Sequence, residues 1–156
     1  MSTKVFDMHT PIQFSRTPDN PDLPLPSRAT PGSVGYDLMS GEPDFVLPPL
    51  ARKVVGTGFR VRLPDGLEGQ IRPRSGLSSR EGVTVINAPG TVDPDYRGEL
   101  KVALINLSTK HVKIYRGQRV AQLVLAHAPT PDVVEVSPEQ IGNTDRGDGG
   151  FGSTGA

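Results

Sequence analysis

The sequence predicts an all-β protein, because turn-forming residues are spread along the chain with short apolar stretches between them. The chain of 156 residues contains 18 glycines and 16 prolines, a composition typical of many short strands broken by turns. Residues 59–63 alternate between apolar and charged side chains and end at the turn sequence Pro64-Asp65-Gly66. The sequence has no amphipathic helical stretch of useful length. A β-sandwich or a β-barrel is therefore the expected class.

The remaining regular elements follow from local patterns. Residues 17–26 hold four prolines and are expected to form an extended connection. Residues 76–81 suggest a short helix, and the apolar run 100–107 is typical of a strand buried on both faces. Residues 119–126 and 133–136 are predicted as further strands. We place one β domain at residues 1–139, with 1–23 as an extended N-terminal segment, and a flexible Gly-rich arm at 140–156.

Composition excludes several classes of function. Cysteine is absent, so a disulfide framework and thiolate metal sites are excluded. Lysine plus arginine equals aspartate plus glutamate at 17 each, which argues against broad electrostatic binding of nucleic acid. A local basic site for one small polyphosphate stays possible. The sequence shows neither the apolar core of a signal peptide nor a run long enough to span a membrane, so we expect a cytoplasmic protein without a membrane partner.

The C-terminal eleven residues have an unusual composition: five glycines surround Arg146, Phe151, Ser153 and Thr154. Glycine lets a backbone approach a ligand closely and expose its N–H groups. Arginine and hydroxyl groups bind phosphate oxygens, and Phe151 offers a flat face for a base. A mobile segment that closes over a nucleotide would need this chemistry. A disordered Gly-rich terminus is the alternative explanation.

Two further segments combine phosphate-binding chemistry with ordinary structural explanations. Asp37 lies on the opposite strand face from Tyr36 and Leu38, where it could hold a Mg²⁺ shell through water or simply be solvated. Ser75 is expected at the start of the short helix as its N-cap, beside the charge of Arg74. Free N–H groups at a helix start also bind phosphate, so the two roles of this segment are compatible.

Residues 87–98 lie between two strand-like runs, which predicts a hairpin. Pro94 favours an extended Asp93, whose carboxylate could accept a proton from water. Asn, Pro, Gly and Asp are also ordinary turn residues, so this signal is weak by itself. Gln122 is expected on the same strand face as Val120 and Val124, where it needs hydrogen-bond partners. That partner is either another protein group or a water or phosphate.

These segments, in this order, resemble the trimeric dUTP diphosphatase (dUTPase) family. Its five signature motifs correspond to residues 29–38, 73–77, 90–98, 119–123 and 146–155. Five ordered motifs at family spacing form a very specific match. Val92 stands where isoleucine is usual, and Arg80 stands where lysine is common. Neither departure removes a chemical group that the reaction needs.

The resemblance implies a jelly-roll-like β subunit, a homotrimer with active sites at its subunit interfaces, and Mg²⁺ as cofactor. It also implies hydrolysis of dUTP to dUMP and pyrophosphate through water attack on the α-phosphorus. Such a reaction keeps uracil out of DNA and supplies dUMP for thymidylate synthesis.

The resemblance also assigns roles to residues. Asp93 and Gln122 are the implied catalytic residues, with Asp93 orienting the attacking water, and Asp37 holds Mg²⁺ through water. Tyr96 packs on the deoxyribose, and Phe151 stacks over uracil. The implied substrate-binding residues are Arg74, Ser75, Gly76, Asn87, Gly90, Thr91, Val92, Tyr96, Gly98, Arg146, Phe151, Gly152, Ser153 and Thr154. The alternatives are a dCTP deaminase-like enzyme of the same fold superfamily and a non-catalytic nucleotide-binding β-trimer.

Overall fold

The computed structural model describes residues 10–150 and confirms the all-β prediction. Two short helices, α1 (Ser75–Glu81) and α2 (Pro138–Ile141), accompany ten strands in the described part of the chain. The strands are β1 (Gln13–Arg16), β2 (Tyr36–Met39), β3 (Phe45–Leu47), β4 (Arg52–Arg62), β5 (Leu67–Arg72), β6 (Val83–Val85), β7 (Gly90–Val92), β8 (Glu99–Asn106), β9 (Val112–Ile114) and β10 (Arg119–His127).

The strands form two four-stranded antiparallel sheets and a two-stranded ribbon. The first sheet has the order β1-β4-β8-β6, the second sheet has the order β2-β10-β5-β7, and β3 pairs with β9. Both sheets and the ribbon contribute apolar side chains to a single core, including Leu38, Leu47, Val55, Leu104 and Leu123. The result is the jelly-roll-like sandwich that the resemblance implies. No helix within residues 10–150 is long and apolar enough to cross a bilayer.

Strand β8 is covered on one face only, so the prediction of burial on both faces is wrong. Leu100, Val102 and Leu104 are at most 1% exposed, whereas Lys101 between them is exposed. The outward residues Ala103 and Ile105 are apolar but only half-buried. Their apolar character made the run appear continuous, although the strand alternates in the usual way.

The N-terminal segment is part of the sandwich from residue 13 onward. Strand β1 pairs along its length with β4. The connection that follows contains no helix or strand, but its first part turns, since the Asn20 N–H donates to the carbonyl of Thr17 at 3.1 Å, so it is less extended than predicted. The side chain of Asn20 is 1% exposed and donates to the carbonyl of Gly58 at 3.0 Å. Arg116 donates to Asp22 at 2.7 Å and lowers the pKa of that carboxyl below its ordinary value. These contacts tie the connection to β4 and to the turn that precedes β10.

The connection between β6 and β8 is longer and more structured than a hairpin turn. The two strands do pair antiparallel, with Val83 opposite Asn106 and Val85 opposite Leu104. Between them the chain crosses to the second sheet, where β7 pairs with β5. The predicted hairpin therefore has the right paired strands but the wrong connection, and residues 87–98 link the two sheets.

The predicted strand at 133–136 is wrong. These residues have no regular structure, and Val133 and Val134 are 99% and 75% exposed. A strand needs a paired neighbour, and no strand of residues 10–150 pairs with this segment. The sequence prediction also missed α2, which begins with a capping box in which Ser137 and Gln140 satisfy each other's backbone N–H groups.

Candidate active site

The candidate site is built on β10, the strand that pairs with two others at once. Gln122 lies opposite Asp37 of β2 on one side and opposite Arg72 of β5 on the other. Pro73 and Arg74 continue directly from β5 into α1. Three of the five sequence motifs therefore meet at one end of the second sheet.

The side chain of Gln122 has a defined position. Its amide nitrogen donates to the carbonyl of Pro73 at 2.9 Å, which supplies the partner that the sequence required. Gln122 was expected to share a strand face with Val120 and Val124. This holds for Val124, but Val120 packs into the core because the register shifts between Arg119 and Ala121. Gly35 lies directly against Gln122: a Cβ at position 35 would be 2.2 Å from Oε1.

Asp37 is held between two arginines. Arg74 approaches one carboxylate oxygen at 3.0 Å (Nε–Oδ1), and Arg119 approaches the other at 3.2 Å (Nη1–Oδ2). The side chain of Asp37 is only 16% exposed, so this carboxylate is not the freely solvated group that one sequence explanation allowed. The ion pairs orient both guanidinium groups at the edge of the cavity described next.

Ser75 is the first residue of α1, and Arg74 occupies the N-cap position without a capping side chain. The predicted N-cap role of Ser75 is therefore wrong, by one residue. The difference arises because Arg74 has the extended backbone conformation of a cap (φ −96°, ψ 128°), while Ser75 is already helical. The Ser75 hydroxyl forms no hydrogen bond within residues 10–150, which leaves it available to a ligand.

These side chains surround an open cavity of about 550 Å³. Its wall carries three guanidinium groups, of Arg74, Arg80 and Arg119, against the single carboxylate of Asp37. An excess of positive charge and several separate donors suit a polyphosphate. The other residues that line the cavity are Ala29, Ser33, Val34, Gly35, Ser75, Gly76 and Gln122.

The residues predicted from the third motif lie elsewhere. Asn87, Asp93 and Tyr96 are exposed and do not line the 550 Å³ cavity. Tyr96 donates its hydroxyl to the carbonyl of Glu99 at 2.8 Å, and its ring covers Gly98, where a Cβ would be 2.3 Å from the hydroxyl oxygen. Thr91 is exposed, whereas Gly90 and Val92 are buried in β7. The side chains of Asn87, Asp93 and Tyr96 therefore do not line the cavity that Arg74 and Gln122 of the same chain form.

The arm is described only in part. Arg146 donates to the carbonyl of Gly149 at 2.7 Å, a bond within its own segment. Phe151, Gly152, Ser153 and Thr154 lie outside the described residues, and their predicted roles stay predictions.

The donor chemistry fits a magnesium ion that arrives with phosphate. Residues 10–150 contain no group of three or more histidine, aspartate or glutamate side chains placed to hold a metal. Mg²⁺ usually keeps several waters and takes one or two carboxylates plus substrate phosphates. The single carboxylate of Asp37 at the wall of the cavity matches that pattern, and an all-protein metal cage does not.

Comparison with known proteins decides the family. Residues 22–155 match the family model described as dUTPase. The chain belongs to the dUTPase family. A deoxyuridine 5'-triphosphate nucleotidohydrolase from Caulobacter vibrioides is 54% identical over 147 residues, covering 92% of this chain and 94% of the relative. The enzyme of that name from Hydrogenobaculum sp. is 52% identical over 134 residues, covering 86% and 92%.

Solved dUTPase structures have the same fold. A mutant dUTPase of Staphylococcus bacteriophage 80alpha, solved with dUpNHpp, superposes with a TM-score of 0.81 at 25% identity. The match covers 94% of this chain and 99% of the phage protein. The sandwich described above is therefore the dUTPase fold.

Sequence reasoning missed three residues of this dUTPase site. Arg119 belongs to the fourth motif, but its ion pair with Asp37 depends on the β2–β10 register, which the sequence does not show. Arg80 reaches the cavity from the last turn of α1. Glycine is needed at position 35 because Gln122 occupies the space that a side chain at this position would fill. Of the three, only the arginines could have been predicted from the sequence, since a cation close to a phosphate-binding motif is a candidate phosphate ligand.

Gly35→Ala should displace Gln122, because the new Cβ would overlap Oε1. The displaced amide loses its bond to Pro73 and enters the cavity, so the affinity for inorganic pyrophosphate should fall roughly tenfold, the factor that about 1.4 kcal/mol represents. Isothermal titration calorimetry measures this affinity. Gly32→Ala is the matched control, since a Cβ there meets nothing within 4 Å. Equal affinity in the two variants would contradict this account of Gly35.

Proposed function

We propose that this protein hydrolyses dUTP to dUMP and pyrophosphate by attack of water on the α-phosphorus. The observation that carries the proposal is the convergence of Asp37, Arg74, Ser75 and Gln122 on one positively charged cavity in a chain of the dUTPase family. The relatives named above carry this substrate in their names. In the cell, the reaction would keep uracil out of DNA and supply dUMP for thymidylate synthesis, in the cytoplasm.

Asp93 is proposed to orient the water and accept its proton. The carboxylate is exposed and forms no hydrogen bond or ion pair with other groups in the described part of the chain. It is therefore free to bind a water molecule. Tyr96 lies three residues further on, and its own bond to Glu99 holds the ring in place. A fixed ring at the sugar would leave no room for a 2′-hydroxyl.

Phosphate transfer needs positioning and charge neutralisation more than covalent chemistry from the protein. Arg74, Ser75 and the backbone at Gly76 are proposed to bind phosphate oxygens, and Gln122 both a phosphate oxygen and the water. Mg²⁺, held through water by Asp37, would neutralise charge on the phosphates when bound. Asn87 and the backbone of Gly90, Thr91, Val92 and Gly98 would recognise uracil.

The active site is proposed to be completed by other copies of the chain in a homotrimer. Asp93, Tyr96 and Asn87 are absent from the wall of the cavity that holds Arg74 and Gln122. This separation supports binding of the nucleotide between two copies, with one group supplied by each copy. The arm, with Arg146, Phe151, Gly152, Ser153 and Thr154, is proposed to close over the γ-phosphate and the base, which excludes water.

Product analysis separates this function from its closest rival. Pyrophosphate release should be fast with dUTP and at least about 100-fold slower with dCTP, dTTP, dATP and dGTP, because a site built to pair with a base rejects other bases strongly. Ammonia should not be released from dCTP. Ammonia release from dCTP would instead identify a deaminase, and binding without any turnover would identify a non-catalytic nucleotide-binding trimer.

Asp93→Asn should lower kcat for dUTP by about 10²–10⁴-fold, the usual contribution of a general base. The affinity for a non-hydrolysable dUTP analogue should stay close to that of the original protein, because the amide keeps the shape of the carboxylate. Steady-state kinetics and calorimetry measure the two quantities. Asp132→Asn, at an exposed position outside the site, is the control. Near-normal turnover in Asp93→Asn would remove Asp93 from its role.

Truncation after Gly142 should leave a folded protein whose kcat/KM for dUTP is lower by about two orders of magnitude, since the lid would no longer position the substrate. Circular dichroism and pyrophosphate release give the two measurements. A chain that lacks only Ala156 is the control. Full activity after the longer truncation would show that the arm has no part in catalysis.

A further inference from the structure

Arg80 differs from the other two arginines of the cavity in the direction of its side chain and in its partners. Arg80 belongs to the last turn of α1, where a cation commonly stabilises the C-terminal end of a helix. Its side chain points the other way. The guanidinium lies over Gly76, one turn back, with Nη2 3.1 Å and Nη1 3.3 Å from the place where a Cβ of Gly76 would be. It therefore extends toward the start of the helix and the phosphate cavity, away from the C-terminal carbonyls.

Within residues 10–150, Arg80 is also the one cationic group of the cavity that has no hydrogen-bond or ion-pair partner. Arg74 and Arg119 are each paired with Asp37, at 3.0 and 3.2 Å. Arg80 makes no hydrogen bond or ion pair with any group in residues 10–150, although Glu81 is its neighbour in sequence. A guanidinium group that needs no existing bond to be broken can bind a phosphate at low cost.

The arrangement of the cavities indicates which end of the substrate lies next to Arg80. Gln122 is shared between the 550 Å³ cavity and a neighbouring cavity of about 430 Å³ lined also by Pro73 and Pro89. Arg80 is shared between the 550 Å³ cavity and a different neighbour, of about 380 Å³, lined also by Leu77 and Gln118. Arg80 and Gln122 therefore lie toward different neighbouring cavities.

We infer that Arg80 is a substrate-binding residue for the part of the triphosphate that leaves as pyrophosphate. The inference rests on the proposed function, which places Gln122 beside the water and the α-phosphorus. Arg80, toward the other neighbour, then faces the β- and γ-phosphates. Its guanidinium donates to their oxygens and neutralises charge that increases on the leaving group as the bond to the α-phosphorus breaks.

The test compares dUMP with a non-hydrolysable dUTP analogue, because the β- and γ-phosphates are what distinguishes them. In Arg80→Gln, the affinity for a non-hydrolysable dUTP analogue should fall about tenfold, while the affinity for dUMP should not change. The affinity of Arg80→Lys for the dUTP analogue should lie between those of the original protein and Arg80→Gln, because an ammonium group keeps the charge but not the planar geometry of a guanidinium group. Arg62→Gln, the same substitution at an exposed position of β4, is the control. Calorimetry gives the affinities, and thermal melting confirms that each variant is folded.

The outcomes are distinguishable. Equal loss of affinity for dUMP and for the triphosphate analogue would overturn the inference, because Arg80 would then not act on the leaving phosphates. An unchanged affinity for both ligands would overturn it as well. In either case normal dUTP turnover by the original protein would leave the proposed function intact. Failure of the original protein to hydrolyse dUTP would refute the proposed function itself.

Discussion

The register of β10 between β2 and β5 is the constraint on which the site depends. Backbone pairing places Gln122 opposite Asp37 and Arg72, so three segments far apart in sequence meet at one point. The hydrogen bond from Gln122 to Pro73 then ties the strand to the start of α1. A slip of one residue in either pairing would turn Gln122 away from the cavity and bring an apolar neighbour there instead. Pairing of the second sheet therefore assembles this part of the site directly.

The charge distribution of the site follows from that geometry. A single carboxylate, Asp37, forms ion pairs with two guanidinium groups and orients both of them. The cavity keeps an excess of positive charge, while the protein as a whole has a formal net charge of zero. Attraction for a polyphosphate is thus local, because it comes from the side chains of the cavity and not from the net charge of the protein.

Sequence reasoning succeeded where local pattern decides the structure. The residues of β10 and α1 were predicted to within one position at each end, because alternation, glycine and proline mark their limits. It failed where distant contacts decide. The apolar outward residue Ile105 suggested a strand covered on both faces, and Val133 suggested a strand that has no partner in the described chain. The direction of the Arg80 side chain depends on the absence of a side chain at Gly76, which no pattern of apolar residues reveals.

The separation of Asp93 from the cavity of its own chain has a genetic consequence if copies complete each other's sites. A chain defective only at Arg74 and a chain defective only at Asp93 would each be inactive alone. Mixed assemblies of the two would contain some sites in which the intact half of one chain meets the intact half of the other. Two harmful alleles could then restore part of the function together, as intragenic complementation.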